Sequence, residues 1–224
     1  MPRSAAATRS LFDGWAGSYD DDLRDAGGPL AGYASSLRQA ARMLPLAAGA
    51  DVLDVGIGTG AFAALLAERG ARITGLDVSD EMLARCRAAH PDFTLHVGSF
   101  EPIPLPDARF DAAVSSFAFH EVPPASRPAV VAELARVLKP GGHLCVLDIV
   151  FASEAATADA RRAIDSAWDD DEDYPLVADL DAMLRDAGFV EPCWRQTAMC
   201  HWAVVARRDE PPVRPAQSVH GASP

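Results

Sequence analysis

Three glycines at alternating positions, Gly56, Gly58 and Gly60, follow the apolar stretch DVLDV at residues 51–55. Glycines let the backbone turn sharply, and they let a ligand approach the main chain closely. Dinucleotide-binding loops have the pattern GxGxxG, in which the third glycine stands one position later. The GxGxG spacing therefore indicates a ligand-binding loop and argues against a nicotinamide-dependent oxidoreductase, the alternative enzyme class.

Two aspartates accompany the glycine loop. Asp77 ends the next apolar stretch, ARITGLDV, where a carboxylate can accept hydrogen bonds from the vicinal hydroxyls of a ribose. The alternative for Asp77 is an N-cap of the following helix, although Ser79 and Asp80 also offer caps. Asp54 lies inside the first stretch, where burial of a carboxylate is costly unless it is paired. It can face an ammonium or sulfonium group of a ligand, or cap the amides of the loop.

Strands that alternate with helices must position these residues. Apolar stretches predict strands at 51–55, 71–78, 93–98, 110–117 and 143–151, and helical patterns lie between them. This rhythm predicts an α/β fold with a doubly wound parallel sheet and helices on both faces. Two further strands, at 189–196 and 199–207, are joined by so short a turn that they must be antiparallel. Ligands of such sheets bind beyond the carboxyl ends of the strands, where the glycine loop lies.

Composition limits the function classes. The chain has 224 residues and a formal net charge of −12, which argues against a general nucleic-acid binder. Its four cysteines form no CxxC pair, and we expect reduced thiols. No apolar run approaches the roughly 18 residues of a membrane span, and the N-terminus lacks the apolar region of a secretory signal. We expect a soluble, cytoplasmic monomer or homodimer with a small-molecule substrate, and no nucleic-acid or membrane partner.

The motifs together resemble those of class I S-adenosylmethionine-dependent methyltransferases. VLDVGIGTG is similar to the first motif of that family, and GLDVSDEMLARCR resembles its ribose-binding strand and helix. FDAAVSSFAFHEV resembles the fourth-strand motif, and LARVLKPGGHLCVLDIV the segment around the fifth strand. The resemblance covers residues 11–207 and implies a Rossmann-like, seven-stranded sheet with an antiparallel last strand. Within the family, the chain is similar to the type 11 methyltransferases and to the YrrT-like branch of small-molecule methyltransferases.

This resemblance implies S-adenosyl-L-methionine as cofactor, S-adenosyl-L-homocysteine as product, and a small-molecule acceptor with an O, N, S or C nucleophile. A cofactor-binding module without catalytic activity is an alternative on the same fold. The family often has Gly-Asp after the third strand, where this chain has Gly98-Ser99, and a serine accepts hydrogen bonds more weakly than a carboxylate. The implied cofactor-binding residues are Tyr19, Asp54, Gly56, Gly58, Gly60, Asp77, Val78, Met82, Ser99, Phe100, Ser115 and Phe117.

His120 and Glu121 follow the fourth strand and are the candidate catalytic residues. His120 is either a general base near neutral pH or a residue that only shapes the pocket, and Glu121 is either catalytic or a rim charge. Trp15, His120 and Tyr174 are candidate substrate contacts, although core packing would also account for Trp15. The acidic run 169–173 predicts a solvated loop or a lid suited to a cationic acceptor. We expect no metal.

The resemblance divides the chain into one domain and two tails. Residues 11–207 form the predicted methyltransferase domain, with a helical cap at 11–48, a cofactor-binding core at 51–151, and lid helices with the final strand pair at 152–207. The cap begins with a helix that carries Leu11, Trp15 and Tyr19 on one face. Gly141 and Gly142 are predicted to end the helix before the fifth strand. Residues 1–10 and 208–224 are predicted to be disordered.

Overall fold

A seven-stranded sheet forms the centre of the computed structural model, which describes residues 5–24 and 26–210. The strands are β1 (Asp51–Val55), β2 (Arg72–Asp77), β3 (Thr94–Val97), β4 (Phe110–Ser116), β5 (Leu138–Ile149), β6 (Phe189–Gln196) and β7 (His201–Arg208). Their order is β3-β2-β1-β4-β5-β7-β6. β1 to β5 pair in parallel, whereas β7 is antiparallel to both β5 and β6. The predicted α/β fold with its antiparallel last strand is confirmed.

Helices cover both faces of the sheet. They are α1 (Ala5–Trp15), α2 (Tyr19–Arg24), α3 (Tyr33–Met43), α4 (Ala61–Ala67), α5 (Asp80–Ala89), α6 (Arg127–Val137), α7 (Glu154–Ile164) and α8 (Val177–Asp186). One apolar core joins α3, α4, α5 and α7 to a face that includes Val52, and a second joins α6 and α8 to the face of Leu53. Because both faces are covered, the central strands are apolar at almost every position.

The N-terminal segment differs from the prediction. Helix α1 begins at Ala5, so the prediction of disorder over residues 1–10 is wrong from Ala5 onward. The expected single helix through Trp15 and Tyr19 is interrupted by a turn at 16–18, where Gly17 and Ser18 favour a break. Asp22 stabilises this turn, because its Oδ2 accepts hydrogen bonds from Trp15 Nε1 and Ser18 Oγ, both at 2.7 Å.

Two boundaries near the C-terminal half also differ. β5 begins directly after α6, so Gly141 and Gly142 lie within an irregular start of the strand and do not end a helix. Gly141 has a φ of +75°, a conformation that favours glycine. It lies where the register between β4 and β5 shifts, next to Phe110. The predicted disorder of 208–224 falls largely outside the described residues, although β7 extends to Arg208. In the described part of the chain, none of the helices has the length and apolarity to cross a membrane.

Candidate active site

A cavity of about 300 Å³ opens at the carboxyl ends of β1, β2 and β4. The chain order reverses here, because β1 lies between β2 and β4, and ligands of open α/β sheets bind at such a switch point. Most of the residues selected from the sequence come together around this cavity. Those that line it are Tyr19, Gly56, Gly58, Asp77, Val78, Met82, Ser99, Phe100, Phe117 and Glu121.

The glycine loop is held against the end of β2. The backbone N–H groups of Gly56 and Ile57 donate to the carbonyl of Leu76, at 2.8 and 3.1 Å. Gly56 has a φ of +74°, and a Cβ atom there would lie only 2.5 Å from the Cβ of Ala118. A Cβ atom on Gly58 would meet nothing within 4 Å, because that position faces the open cavity. The loop therefore presents bare backbone to whatever fills the cavity.

Asp77 is buried at the end of β2 with both oxygens oriented by the main chain. Its Oδ2 accepts from the N–H of Gly58 at 2.8 Å, and its Oδ1 accepts from the N–H of Ser79 at 2.9 Å. Burial raises the pKa of Asp77, and these hydrogen bonds partly offset that effect. Each oxygen keeps a further lone pair for a ligand hydroxyl. Ser79 Oγ caps α5 by accepting from Met82 N, so the capping alternative for Asp77 is unnecessary.

Asp54 is fully buried in β1, immediately before the lining residues Val55 and Gly56. Neither of its carboxylate oxygens has a hydrogen-bond partner in the described structure. Burial, together with the nearby charge of Asp77, raises the pKa of Asp54 to about 8. A buried carboxyl without a partner is costly, so this position is suited to a ligand cation or an ordered water.

Val78, Met82, Ser99 and Phe100 form one end of the cavity. Phe100 packs edge-on against Phe119, with ring centroids 6.3 Å apart, and Ser99 Oγ donates to the carbonyl of Glu101 at 3.0 Å. The Ser99 hydroxyl can still accept a hydrogen bond. This end combines apolar walls with one polar acceptor, as a planar base would require.

Of the two aromatic residues selected near the N-terminus, only one borders the cavity. Tyr19 lines the cavity, where burial and the charge of Asp77 raise the pKa of its phenol. Trp15 does not line the cavity; its ring packs edge-on against Tyr19 at 4.7 Å between centroids. Trp15 therefore supports the position of Tyr19 and makes no direct contact with the cavity.

Gly60 and Ser115 also lie away from the cavity surface. Gly60 has a φ of +94°, and a Cβ atom there would lie 2.8 Å from the ring of His90. Glycine is therefore required at position 60, where α4 begins, because a side chain there would collide with His90. Ser115 is fully buried in β4, and its neighbours Ser116 and Phe117 reach the wall instead.

His120 lies beside a second, smaller cavity of about 10 Å³, together with Glu121 and the acidic residues 171–173. Its Nδ1 is 2.5 Å from Oδ1 of Asp148, a fully buried residue in β5. Burial lowers the pKa of His120, but the carboxylates of Asp148, Glu172 and Glu121 outweigh it and raise that pKa to about 9. The structure thus pairs His120 with a carboxylate, and the residue lines the smaller cavity but not the larger one.

Glu121 borders both cavities. Its Oε2 accepts a 3.5 Å hydrogen bond from Thr8 Oγ1 of α1. Tyr174 packs 5.9 Å from the His120 ring and 5.1 Å from that of Trp168, and burial with the adjacent Glu172 raises the pKa of its phenol. Tyr174 does not line the larger cavity, so the residues selected as substrate contacts do not form one surface.

Two functional candidates were missed in the sequence. Asp148 is a lone carboxylate in the apolar run CVLDIVF, and the argument that singled out Asp54 applies to it equally. Arg127 begins α6 and is 4% exposed. It donates to the carbonyls of Val122 and His120 and to Asp173 Oδ1 at 2.8 Å, which ties the acidic segment to the His120 loop. No pattern in the sequence indicates this contact between distant segments.

An open sheet with a reversed last strand, a glycine loop and a buried acid at the end of β2 defines the methyltransferase class of Rossmann-like folds. The chain belongs to the class I S-adenosylmethionine-dependent methyltransferase family, and a family model described as a methyltransferase domain matches residues 53–146. The enzyme class and family predicted from the motifs are confirmed.

Named relatives support the same family. A malonyl-[acyl-carrier protein] O-methyltransferase of Serratia marcescens is 37% identical over 164 residues, which cover 71% of this chain and 59% of that enzyme. The chain thus spans less than two thirds of that relative. A demethylmenaquinone methyltransferase of Tropheryma whipplei is 31% identical over 181 residues, covering 71% of this chain and 74% of the relative.

Solved structures share the fold at low sequence identity. An S-adenosylmethionine-dependent methyltransferase from Aquifex aeolicus has a TM-score of 0.68 at 22% identity, covering 88% of this chain and 98% of that one. The [4+2]-cyclase SpnF has a TM-score of 0.74 at 20% identity, covering 94% of this chain and 98% of the cyclase. The fold therefore also occurs in a protein named for a different reaction.

Proposed function

We propose that this enzyme binds S-adenosylmethionine in the larger cavity and transfers its methyl group to a small-molecule acceptor. The observation that carries the proposal is the pair of buried acids around the glycine loop. Asp54 has no partner among the described residues, and Asp77 is aligned by two backbone N–H groups. A ligand with one cationic group and one vicinal diol would satisfy both acids.

The lining residues fit the parts of such a cofactor. Gly56 and Gly58 would lie against its methionine portion, and Asp54 would hold the amino group, directly or through water. Asp77 would accept hydrogen bonds from the ribose, and Tyr19 would cover the bound cofactor. Val78, Met82, Ser99 and Phe100 would enclose the adenine. When bound, the cofactor supplies a methyl group that its sulfonium already activates.

The protein's contribution to methyl transfer would be alignment and the exclusion of water. An acceptor would enter beside Glu121, since this residue borders the larger cavity. We favour the pocket-shaping role for His120, because its ring lines only the smaller cavity and Asp148 holds its Nδ1. The names of the relatives include malonyl-[acyl-carrier protein] and demethylmenaquinone, so we limit the acceptor to a small molecule or the end of a larger one.

The test is methyl transfer from labelled cofactor into pools of phenols, amines, thiols and carboxylic acids. Label in product, with matching formation of S-adenosylhomocysteine, is expected for the wild type in at least one pool. Asp77→Asn should lower kcat/KM at least tenfold. Asp80→Asn is the matched control, because Asp80 stands outside the cavity in a surface ion pair with Arg9.

Two results would contradict the proposal. One is the absence of labelled product from every pool although the cofactor binds, which would favour a binding module or a different reaction on this fold. The other is equal activity of the Asp77→Asn and Asp80→Asn variants, which would remove Asp77 from the cofactor site.

A further inference from the structure

The imidazole of His120 is fixed so that one nitrogen faces the smaller cavity. Asp148 Oδ1 lies 2.5 Å from Nδ1, and Asp148 Oδ2 accepts from the N–H groups of Phe119 and His120 at 2.8 and 3.2 Å. A histidine whose Nδ1 is held by a carboxylate presents Nε2 as its ligating atom, and this arrangement is usual for histidines that bind metals. The His120 side chain is only 7% exposed, so little of its ring reaches solvent.

Two carboxylates face that nitrogen. Oε1 of Glu121 and Oε2 of Glu172 each lie 3.9 Å from Nε2, and the three atoms all lie within 4.8 Å of one another. These distances are too long for hydrogen bonds to Nε2, yet they bring three donor atoms around one point. The cavity between them has about 10 Å³, which is the space of one water-sized species.

The charge around this cavity is strongly negative. Asp148, Glu121 and Glu172 contribute three carboxylates, and Asp171 and Asp173 line the same cavity. Among the described residues, Arg127 binds Asp173 and the carbonyls of His120 and Val122, and the His120 imidazole itself lies against Asp148. Histidine binds metals in its neutral form, so a metal ion at Nε2 would displace a proton and place its charge beside the carboxylates of Glu121 and Glu172.

We propose that His120 Nε2, Glu121 and Glu172 bind one divalent metal ion of the Mn²⁺ or Zn²⁺ type. An imidazole with two carboxylates is a donor set that both ions accept, and three protein ligands leave coordination positions open. Glu121 also lines the larger cavity, so the metal would adjoin the acceptor side of the site. The metal was not expected from the sequence, because its ligands come from two distant segments.

Metal binding can be measured on the full chain without reference to methyl transfer. After dialysis against a chelator, the protein is titrated with MnCl₂ and free Mn²⁺ is followed by electron paramagnetic resonance, with Zn²⁺ added afterwards as competitor. We expect one site per chain. Glu172→Gln should weaken Mn²⁺ binding at least tenfold. Asp170→Asn is the matched control, because Asp170 lies in the same segment but pairs with Arg161 outside the cavity.

The outcomes separate this site from the cofactor site. S-adenosylhomocysteine binding, measured on the same samples, should be equal in the wild type and in Glu172→Gln, since Glu172 does not line the larger cavity. The metal proposal is overturned if neither ion binds at one per chain. It is also overturned if Glu172→Gln and Asp170→Asn bind Mn²⁺ equally. His120→Asn gives a second test of the ligand set, and it should also lose the site.

Discussion

Asp54 and Asp148 are buried carboxylates inside apolar strands, and their surroundings differ sharply. Asp148 accepts hydrogen bonds from the N–H groups of Phe119, His120 and Ile149, and it also lies against the His120 ring. Asp54 has no partner in the described part of the chain. Asp148 therefore has a structural role as the protein stands, whereas Asp54 remains costly until a ligand or water supplies its partner.

The raised pKa of Asp54 predicts a pH-dependent stability in the ligand-free protein. This group has a pKa near 3.8 when exposed and about 8 when buried, so the folded state keeps a proton that the unfolded state releases. Its contribution should make the free energy of unfolding fall by about 1 kcal/mol per pH unit from roughly pH 4 to 8. Asp54→Asn should remove that slope. Urea unfolding at pH 5, 6, 7 and 8 measures it.

The Asp54→Asn variant is compared with the wild type at each pH, since other groups also titrate. We expect the two proteins to differ least in stability at pH 5 and the variant to be the more stable by pH 8. Parallel pH dependence in the two proteins would mean that Asp54 is ionised or hydrated in the folded state. The same variant should bind S-adenosylhomocysteine more weakly, because it cannot offer a carboxylate to the amino group.

Gly58 and Gly60 should respond to alanine in different ways. Gly58→Ala adds a methyl group that faces the cavity, so its main effect should be weaker cofactor binding. Both substitutions place alanine at a positive φ, +54° at Gly58 and +94° at Gly60, but only Gly60→Ala also brings Cβ within 2.8 Å of the His90 ring. Its loss of unfolding free energy should therefore be the larger, about 1–3 kcal/mol. Denaturant unfolding and calorimetric titration separate the two effects. A larger loss of stability in Gly58→Ala would contradict this division.

At the scale of elements, the sequence predicts regular segments well and contacts between segments poorly. The strands near the glycine loop are continuous apolar runs covered on both faces, so their positions follow from composition and spacing alone. The break at 16–18 depends on local hydrogen bonds to Asp22, which no periodicity reveals. The pairing of His120 with Asp148 depends on β4 and β5 being neighbours in the sheet. The contact of Tyr174 with His120 depends on the path of the segment between α7 and α8, which brings Tyr174 back to the end of β4.

The segment between α7 and α8 gives a prediction at this scale. Asp173 pairs with Arg127, which is buried, whereas Asp170 pairs with the exposed Arg161. Asp173→Asn should lower the unfolding free energy by about 1–2 kcal/mol, because it leaves a buried guanidinium less well paired. Asp170→Asn should change it by less than about 0.5 kcal/mol. Chemical unfolding measures both, and equal effects would mean that Arg127 does not anchor the segment.

Hydrogen exchange locates the effect of the Asp173 change. Amide exchange should become faster across residues 169–174 and in the loop that carries His120, since Arg127 also binds the carbonyls of His120 and Val122. Exchange in β1 and β2 should stay as in the wild type. Faster exchange throughout the sheet would instead indicate general destabilisation.

At the scale of the whole molecule, strand order explains why the two cavities are neighbours. β1, β2 and β4 end at the larger cavity, and the residues that follow β4 meet the end of β5 at the smaller one. Residues far apart in the chain therefore meet at one edge of the sheet. Membership of the family predicts that a ligand binds at this edge, but it does not specify the acceptor molecule. The YrrT-like assignment within the family stays a prediction.

The most direct test of the account is calorimetric titration of the full chain with S-adenosylhomocysteine, with NAD as the control ligand and Asp77→Asn in parallel. We expect S-adenosylhomocysteine to bind at one molecule per chain and NAD not to bind. The Asp77→Asn change should weaken the affinity at least tenfold, which is about 1.4 kcal/mol. Absence of S-adenosylhomocysteine binding, or a preference for NAD, would contradict the proposed use of the glycine loop and its two acids.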